Sequence, residues 1–189
     1  MPTSVDLATG EVIRADKDFS LESVYDEYYK EKIPVKQLLD EIFYDHGRIR
    51  PHERILVWFP KYLDLFCKTN NALMKNEQVL KLEQKLYLGI MAASCYESEY
   101  LINILEEQFV LQGGDLQWIT EGLKKVEPRL AKFAEINEIM AFRPWGVKPY
   151  HLEKLLKRDE DGHGWNVQQV LVGACVLAHF HGLCSFVLG

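Results

Sequence analysis

The sequence predicts an all-α protein, and three observations carry that prediction. Apolar residues recur at helical spacing along most of the chain, and no stretch alternates apolar and polar residues for long. Proline and glycine separate one helical pattern from the next, while no Asn-Gly hairpin turn occurs.

Taken in order, residues 1–18 are polar and read as a flexible N-terminal segment. Ser20 is placed to cap a helix over Leu21–Lys30, with Leu21, Val24, Tyr25 and Tyr28 on one side. Pro34 suits the start of a helix over Val35–His46, with Leu38, Leu39, Ile42 and Phe43 as its apolar face and Gly47 as its stop. Pro51–Phe59 reads as a short turn or helical piece, and Pro60 opens a helix over Lys61–Lys68 or beyond, carrying Tyr62, Leu65 and Phe66. A helical hairpin follows, its arms meeting at Ser94-Cys95-Tyr96-Glu97-Ser98. Leu82, Leu86, Gly89, Ile90 and Ala93 form the apolar face of the first arm; Leu101, Ile104, Leu105 and Phe109 form that of the second. Small residues around Ala92–Ser94 allow close approach of another helix. Gly113-Gly114 supplies a left-handed stop, and Asp115 is placed to cap Leu116–Thr120, which Gly122 closes. Pro128 begins Arg129–Ala141, with Leu130, Phe133, Ile136, Ile139 and Met140 as its buried stripe, and Arg143-Pro144-Trp145 breaks it. Pro149 leads into Tyr150–Arg158, and a last helix runs from Asn166.

With 189 residues and 48% hydrophobic content, the chain can bury one good core, so residues 19–189 are expected to form a single helical domain. The net charge is −6, and the densest basic run, Arg48-Ile49-Arg50-Pro51-His52-Glu53-Arg54, is short and crosses a proline. Nothing resembles the continuous basic face of a nucleic-acid binder. The four cysteines, Cys67, Cys95, Cys175 and Cys184, show no paired spacing and read as reduced thiols in helices. The N-terminus lacks the apolar stretch of a secretory signal, so the expected compartment is the cytoplasm, with a nuclear pool as the second choice. Val170–Gly189 is long enough to span a membrane, but His179 and His181 interrupt it and no close basic flank follows. A soluble core helix buried on all sides is the preferred reading, with no membrane span.

Few residues offer chemistry. His179 and His181 lie two apart on a helix and face nearly opposite ways, so they do not share a metal. The Glu160-Asp161-Gly162-His163 loop has a lone Glu-x-x-His where di-metal bundles need two on helices, and no calcium-loop Glu follows. Gly162-x-Gly164 follows no strand. No metal and no cofactor is expected. Trp145 and Trp165 read as packing anchors.

The hairpin resembles the core of the alkylhydroperoxidase D-like fold. There a Cys-x-x-Cys opens a helix, a His lies seven residues after the first Cys, and a Gly follows eight residues later. Counting back from Gly113 places those groups at Ser98, Leu101 and Leu105. Phe59–Phe66, Tyr87–Ala93, Gly113–Trp118, Glu135–Asn137, Arg143–Trp145, Gly164-Trp165 and Leu177–His181 through Ser185-Phe186 are similar to sestrin segments in the same order. The similarity covers about residues 45–189 and corresponds to the first of the two alkylhydroperoxidase-like halves of a sestrin.

The resemblance implies a stress- and nutrient-responsive regulator that restrains TOR complex one through the GATOR complex. Leucine-sensing residues of sestrins lie mainly in the second half and have no counterpart here. The peroxide-reducing Cys, Tyr and His credited to the first half fall on Ser98, Tyr100 and Leu105. A serine hydroxyl cannot replace a soft thiolate that becomes a sulfenic acid, and Leu105 accepts no proton. The resemblance therefore implies a degenerate peroxidase site. Cys95, one turn earlier, is the remaining redox thiol. Ala92–Gln108 carries Glu97, Glu99, Glu106 and Glu107 and no Lys, Arg or His, which favours a neutral structural thiol unless another helix brings in a cation. The competing expectation is a weak peroxide or thiol oxidoreductase, an antioxidant working through Cys95 or another Cys. A homodimer through the apolar surface that a second half would cover is a further expectation.

Overall fold

The computed structural model describes residues 4–5, 12–13, 35–158 and 164–189, and these form an all-α protein. The expected helix over Leu21–Lys30, most of the segment 1–18 and the Glu160–His163 loop lie outside the described residues. Two dipeptide strands, Ser4–Val5 and Val12–Ile13, pair antiparallel with Ser4 opposite Ile13. The chain divides into two compact units, one ending at Cys67 and one running from Lys68 to Gly189.

In the first unit, α1 (Val35–His46) buries Leu38 and Ile42 at i, i+4 spacing and ends at Gly47, whose φ of +71° only glycine adopts freely. Phe43, expected on the apolar face, is 53% exposed, because it lies outside the narrow stripe that Leu38 and Ile42 define. A short helix α2 (Pro51–Leu56) follows, and α3 (Pro60–Met74) begins in this unit. Leu38, Ile42, Leu56, Leu63 and Cys67 make the core, with Ile49, Val57 and Phe66 packed on it. Tyr62 and Leu65 of α3 are exposed. At the start of α2, Glu53 is fully buried; it accepts a hydrogen bond from His46 Nδ1 at 2.9 Å and from the Arg50 backbone N–H at 2.6 Å. The latter is the return arm of a capping box, satisfying an N–H with no intrahelical partner.

The second unit is organised around α4 (Leu82–Ser94), in which every residue from Gln84 to Ala93 is buried. It packs on α5 (Glu99–Leu111), on α8 (Phe133–Phe142) and on α10 (Val167–Leu188). Close approach is possible because Gly89 has no side chain: a Cβ there would stand 2.8 Å from the Phe180 ring and 3.2 Å from Leu105 Cδ1. Two polar residues sit on this buried helix. Gln84 Nε2 donates to Glu127 Oε2 at 2.9 Å. Lys85, 0% exposed, donates from Nζ to Leu73 O at 2.7 Å, to Met74 O at 3.4 Å and also to Asn76 O. It caps the carbonyls at the end of α3, which have no helical partner of their own.

Helix α5 shows Leu101, Leu105 and Phe109 to the core and ends at Gly113, φ +79°. Asp115 Oδ1 caps α6 (Leu116–Thr120) by accepting from Gln117 N at 2.9 Å, as its sequence position suggests. The expected helix over Arg129–Ala141 is interrupted: α7 (Pro128–Ala131) stops at Lys132 and α8 resumes at Phe133. Met140, expected in the buried stripe, is half-buried, while Leu130, Phe133, Ile136 and Ile139 are core residues. A 3-10 turn (Pro144–Gly146) and α9 (Pro149–Leu156) lead to α10, capped by Asn166 Oδ1 accepting from Gln169 N at 2.8 Å. Trp165 is the anchor it was expected to be, packed on Phe133 and donating from Nε1 to Arg129 O at 2.6 Å. Trp145 is not, being 82% exposed.

α10 is also the one helix of the described residues long and apolar enough to cross a membrane by length and composition. It is not buried on all sides. Val170, Gly173, Val176, Leu177, Phe180, His181, Leu183 and Cys184 face the core, whereas Leu171 is 64% and Leu188 57% exposed. Hydropathy reports composition, and an uncharged helix gives the same signal whether one face or both are covered.

Candidate functional site

The junction between α4 and α5 is where the sequence places its candidate chemistry. It closes without a glycine. Ser98 N donates to Ala93 O and Glu97 N to Ser94 O, both at 3.2 Å, the paired bonds of a Schellman ending. Glu97 occupies the left-handed position at φ 51°, a conformation costing a non-glycine residue about 1 kcal/mol. The turn is thus held by packing on both arms, and Cys95, Tyr96 and Ser98 have fixed places in it.

Cys95 directly follows α4 and is partly exposed. Its Sγ accepts from Asn137 Nδ2 at 3.1 Å, and the same amide nitrogen donates to Met91 O at 3.0 Å. Asn137 stands in the buried face of α8 and ties that helix to the last turn of α4. Burial pushes the Cys95 thiol above its ordinary range; the Asn137 hydrogen bond pulls it down and the Glu138 carboxylate pushes it up further. The groups acting on it therefore include no cation, and the thiol stays protonated near neutrality. Cys184 on α10 is fully buried and pushed up to about 11 by burial, with Cys95 adding to the shift.

Helix α10 does bring an imidazole to the turn, against Tyr96 rather than Cys95. The His181 ring lies edge-on to the Tyr96 ring with centroids 5.5 Å apart, and neither ring nitrogen has a hydrogen-bond partner. Burial lowers its pKa, so the ring is neutral and supplies no positive charge. Tyr96 in turn donates from its hydroxyl to Ala141 O at 3.1 Å, and burial holds that phenol protonated.

Ser98 precedes α5 and is 1% exposed. Its hydroxyl neither caps the helix nor finds another partner. Leu105, two turns on, is buried in the core, and Tyr100 is half-buried on the same helix. So the structure gathers Cys95, Tyr96, Asn137, His181 and Cys184 at one end of α4, while Ser98 and Leu105 lie in the α5 face. Sequence reasoning missed Asn137 and His181 as members of this cluster. A lone Asn inside the apolar run Phe133–Phe142 was the available signal. Among the described residues, no group of three or more His, Cys, Asp or Glu could hold a metal ion.

Because the Ser98 hydroxyl is buried and unpartnered, Ser98→Ala is expected to leave stability unchanged or raise it by up to about 1 kcal/mol. A capping serine would instead lose about 1 kcal/mol on the same change. Urea denaturation separates the two.

The family described as PA26 p53-induced protein (sestrin) matches residues 17–189. The chain is 35% identical to Sestrin-1 of Xenopus laevis over 149 residues, which is 79% of this chain and 30% of that protein. It is 32% identical to Sestrin-3 of Mus musculus over 151 residues, covering 80% of this chain and 30% of that protein. The Drosophila melanogaster sestrin homolog is 34% identical over 134 residues, 71% of this chain and 26% of that protein. The aligned region thus spans under a third of the length of these relatives. On the match over residues 17–189 and these identities, the chain belongs to the sestrin family.

Proposed function

We propose that this chain is a stress- and nutrient-responsive regulator of the sestrin type that restrains TOR complex one through protein contacts. In this reading it is an alkylhydroperoxidase-like helical module, cytoplasmic, whose peroxide-reducing site has degenerated. The observation that carries the non-enzymatic part is the state of the one thiol at the α4–α5 junction. Cys95 is hydrogen-bonded by an amide, faces a carboxylate and has no cation acting on it, so it stays a thiol. Ser98 and Leu105 supply neither sulfur nor a base.

The regulatory part rests on family membership and is tested in cells. Expression of the chain during amino-acid withdrawal should lower phosphorylation of a TOR complex one substrate, and should co-purify GATOR components. Unchanged phosphorylation at several expression levels would remove this reading.

Self-association is a second reading, favoured by the uncharged outer face of α10 with Leu171 and Leu188 exposed. Light scattering of a concentrated solution should then show a mass above that of one chain, and a strict monomer would contradict it.

A further inference from the structure

The turn between α8 and α9 carries an exposed tryptophan on a fixed backbone. Trp145 is the most exposed of the four tryptophans, the others being half-exposed or buried. The backbone beneath it is pinned: Arg143 N donates to Ile139 O at 2.9 Å, Gly146 N to Arg143 O at 2.7 Å, and Pro144 fixes the first position of the 3-10 turn. Tyr96 braces the base through Ala141 O and through its ring contact with Phe142, centroids 6.1 Å apart. Phe142, three residues before Trp145, is itself exposed.

Two cations flank Trp145 in the sequence of this turn, Arg143 and Lys148, both exposed. Neither side chain has an ion-pair partner among the described residues, and the Glu135 carboxylate pairs with Lys154 at 2.8 Å and His151 at 3.8 Å. Glu138, on the last turns of α8, is the closest acid in sequence that faces solvent. In a chain of net charge −6, this turn is a local basic spot with an aromatic centre.

We propose that the Phe142–Lys148 turn docks an acidic segment of a protein partner that carries an aliphatic or aromatic side chain. The apolar side chain packs on the Trp145 indole, while Arg143 and Lys148 take carboxylates and the indole N–H donates to one. Tryptophan and arginine are the residue types that dominate binding energy at protein interfaces, and a rigid indole loses little conformational freedom on docking. Two cations release too few counterions to hold nucleic acid. An acidic chain is repelled from an anionic bilayer, which argues against a membrane partner. The proposal deepens the protein-contact reading by giving it a surface and a partner chemistry.

The test is panning of a random peptide phage library on the full chain, with affinities of enriched peptides measured on wild type, Trp145→Ala and the double variant Arg143→Glu/Lys148→Glu. Enriched peptides should be net acidic with at least one aliphatic or aromatic residue, and should lose roughly tenfold or more in affinity on each variant. Circular dichroism controls for folding, and the charge variant alone decides if Trp145→Ala misfolds. Peptides with no acidic bias, or peptides that bind both variants as wild type, would overturn the proposal. So would stronger Trp145-dependent binding to single-stranded DNA or phosphatidylserine vesicles. Panning that fails while TOR restraint persists removes this surface and leaves the regulatory reading standing; acidic peptides without TOR restraint do the reverse.

Discussion

Replacing Lys85 with Met is expected to destabilise the second unit by about 3 kcal/mol. The Lys85 side chain is 0% exposed, and its ammonium donates to the carbonyls of Leu73, Met74 and Asn76 where α3 ends. Methionine fills a similar volume, so the loss isolates the hydrogen bonds from the packing. The carbonyls of Leu73 and Met74 in the last turn of the helix, and that of Asn76 just beyond it, would then lose a charged donor, at about 1–3 kcal/mol for a group left unpaired. Burial lowers the lysine pKa and Glu77 pulls it part of the way back, so the residue carries a desolvation cost that the carbonyl partners and Glu77 offset. Urea denaturation followed through the Trp118 and Trp165 region gives the free energy directly. A Met variant as stable as wild type would show that the carbonyls find other donors and that Lys85 does not organise the end of α3.

Removing Glu53 is expected to have a comparable effect on the first unit. Its carboxylate is fully buried between the His46 imidazole and the Arg50 amide. Glu53→Ala should cost about 3 kcal/mol and Glu53→Gln about half of that, since the amide keeps one acceptor. A pH dependence accompanies it. Burial alone would raise this carboxyl, but the His46 hydrogen bond, the Arg50 amide and the charges of both residues bring it below its ordinary value of 4.5. The unfolded chain therefore binds a proton more readily than the folded one. This contribution is fully present above about pH 4.5 and is lost as the pH falls through the lower folded value. Acid titration of wild type against Glu53→Gln should show the difference between them shrinking below that pH. A constant difference down to strongly acidic conditions would contradict the ion-pair account.

Much of the helical order was legible because punctuation and caps are local signals. Val35–His46 and Leu116–Thr120 begin and end where Pro34, Gly47, Asp115 and Gly122 place them. What sequence periodicity does not carry is which of several apolar faces finds a neighbour. Phe43, Trp145 and the outer side of α10 read as core because they are apolar, yet the packing leaves them outside. The hairpin junction shows the same division. Its position was plain, but its closure by Glu97 in a left-handed conformation was not, because no glycine marks it. At the candidate site, the scarcity of cations around Cys95 could be read from the sequence. Asn137 and His181 could not, since they arrive from helices about 40 and 85 residues further on, and only tertiary packing brings such residues together.

The peroxide assay bears most directly on the thiol. Hydrogen peroxide consumption by the full chain, with a dithiol as reductant at neutral pH, is to be compared between wild type and Cys95→Ser. A protonated, cation-free thiol predicts that both run at the reagent background. Rapid turnover in wild type that vanishes in Cys95→Ser would mean an activated sulfur at the α4–α5 junction, and the regulatory reading would give way to an enzymatic one.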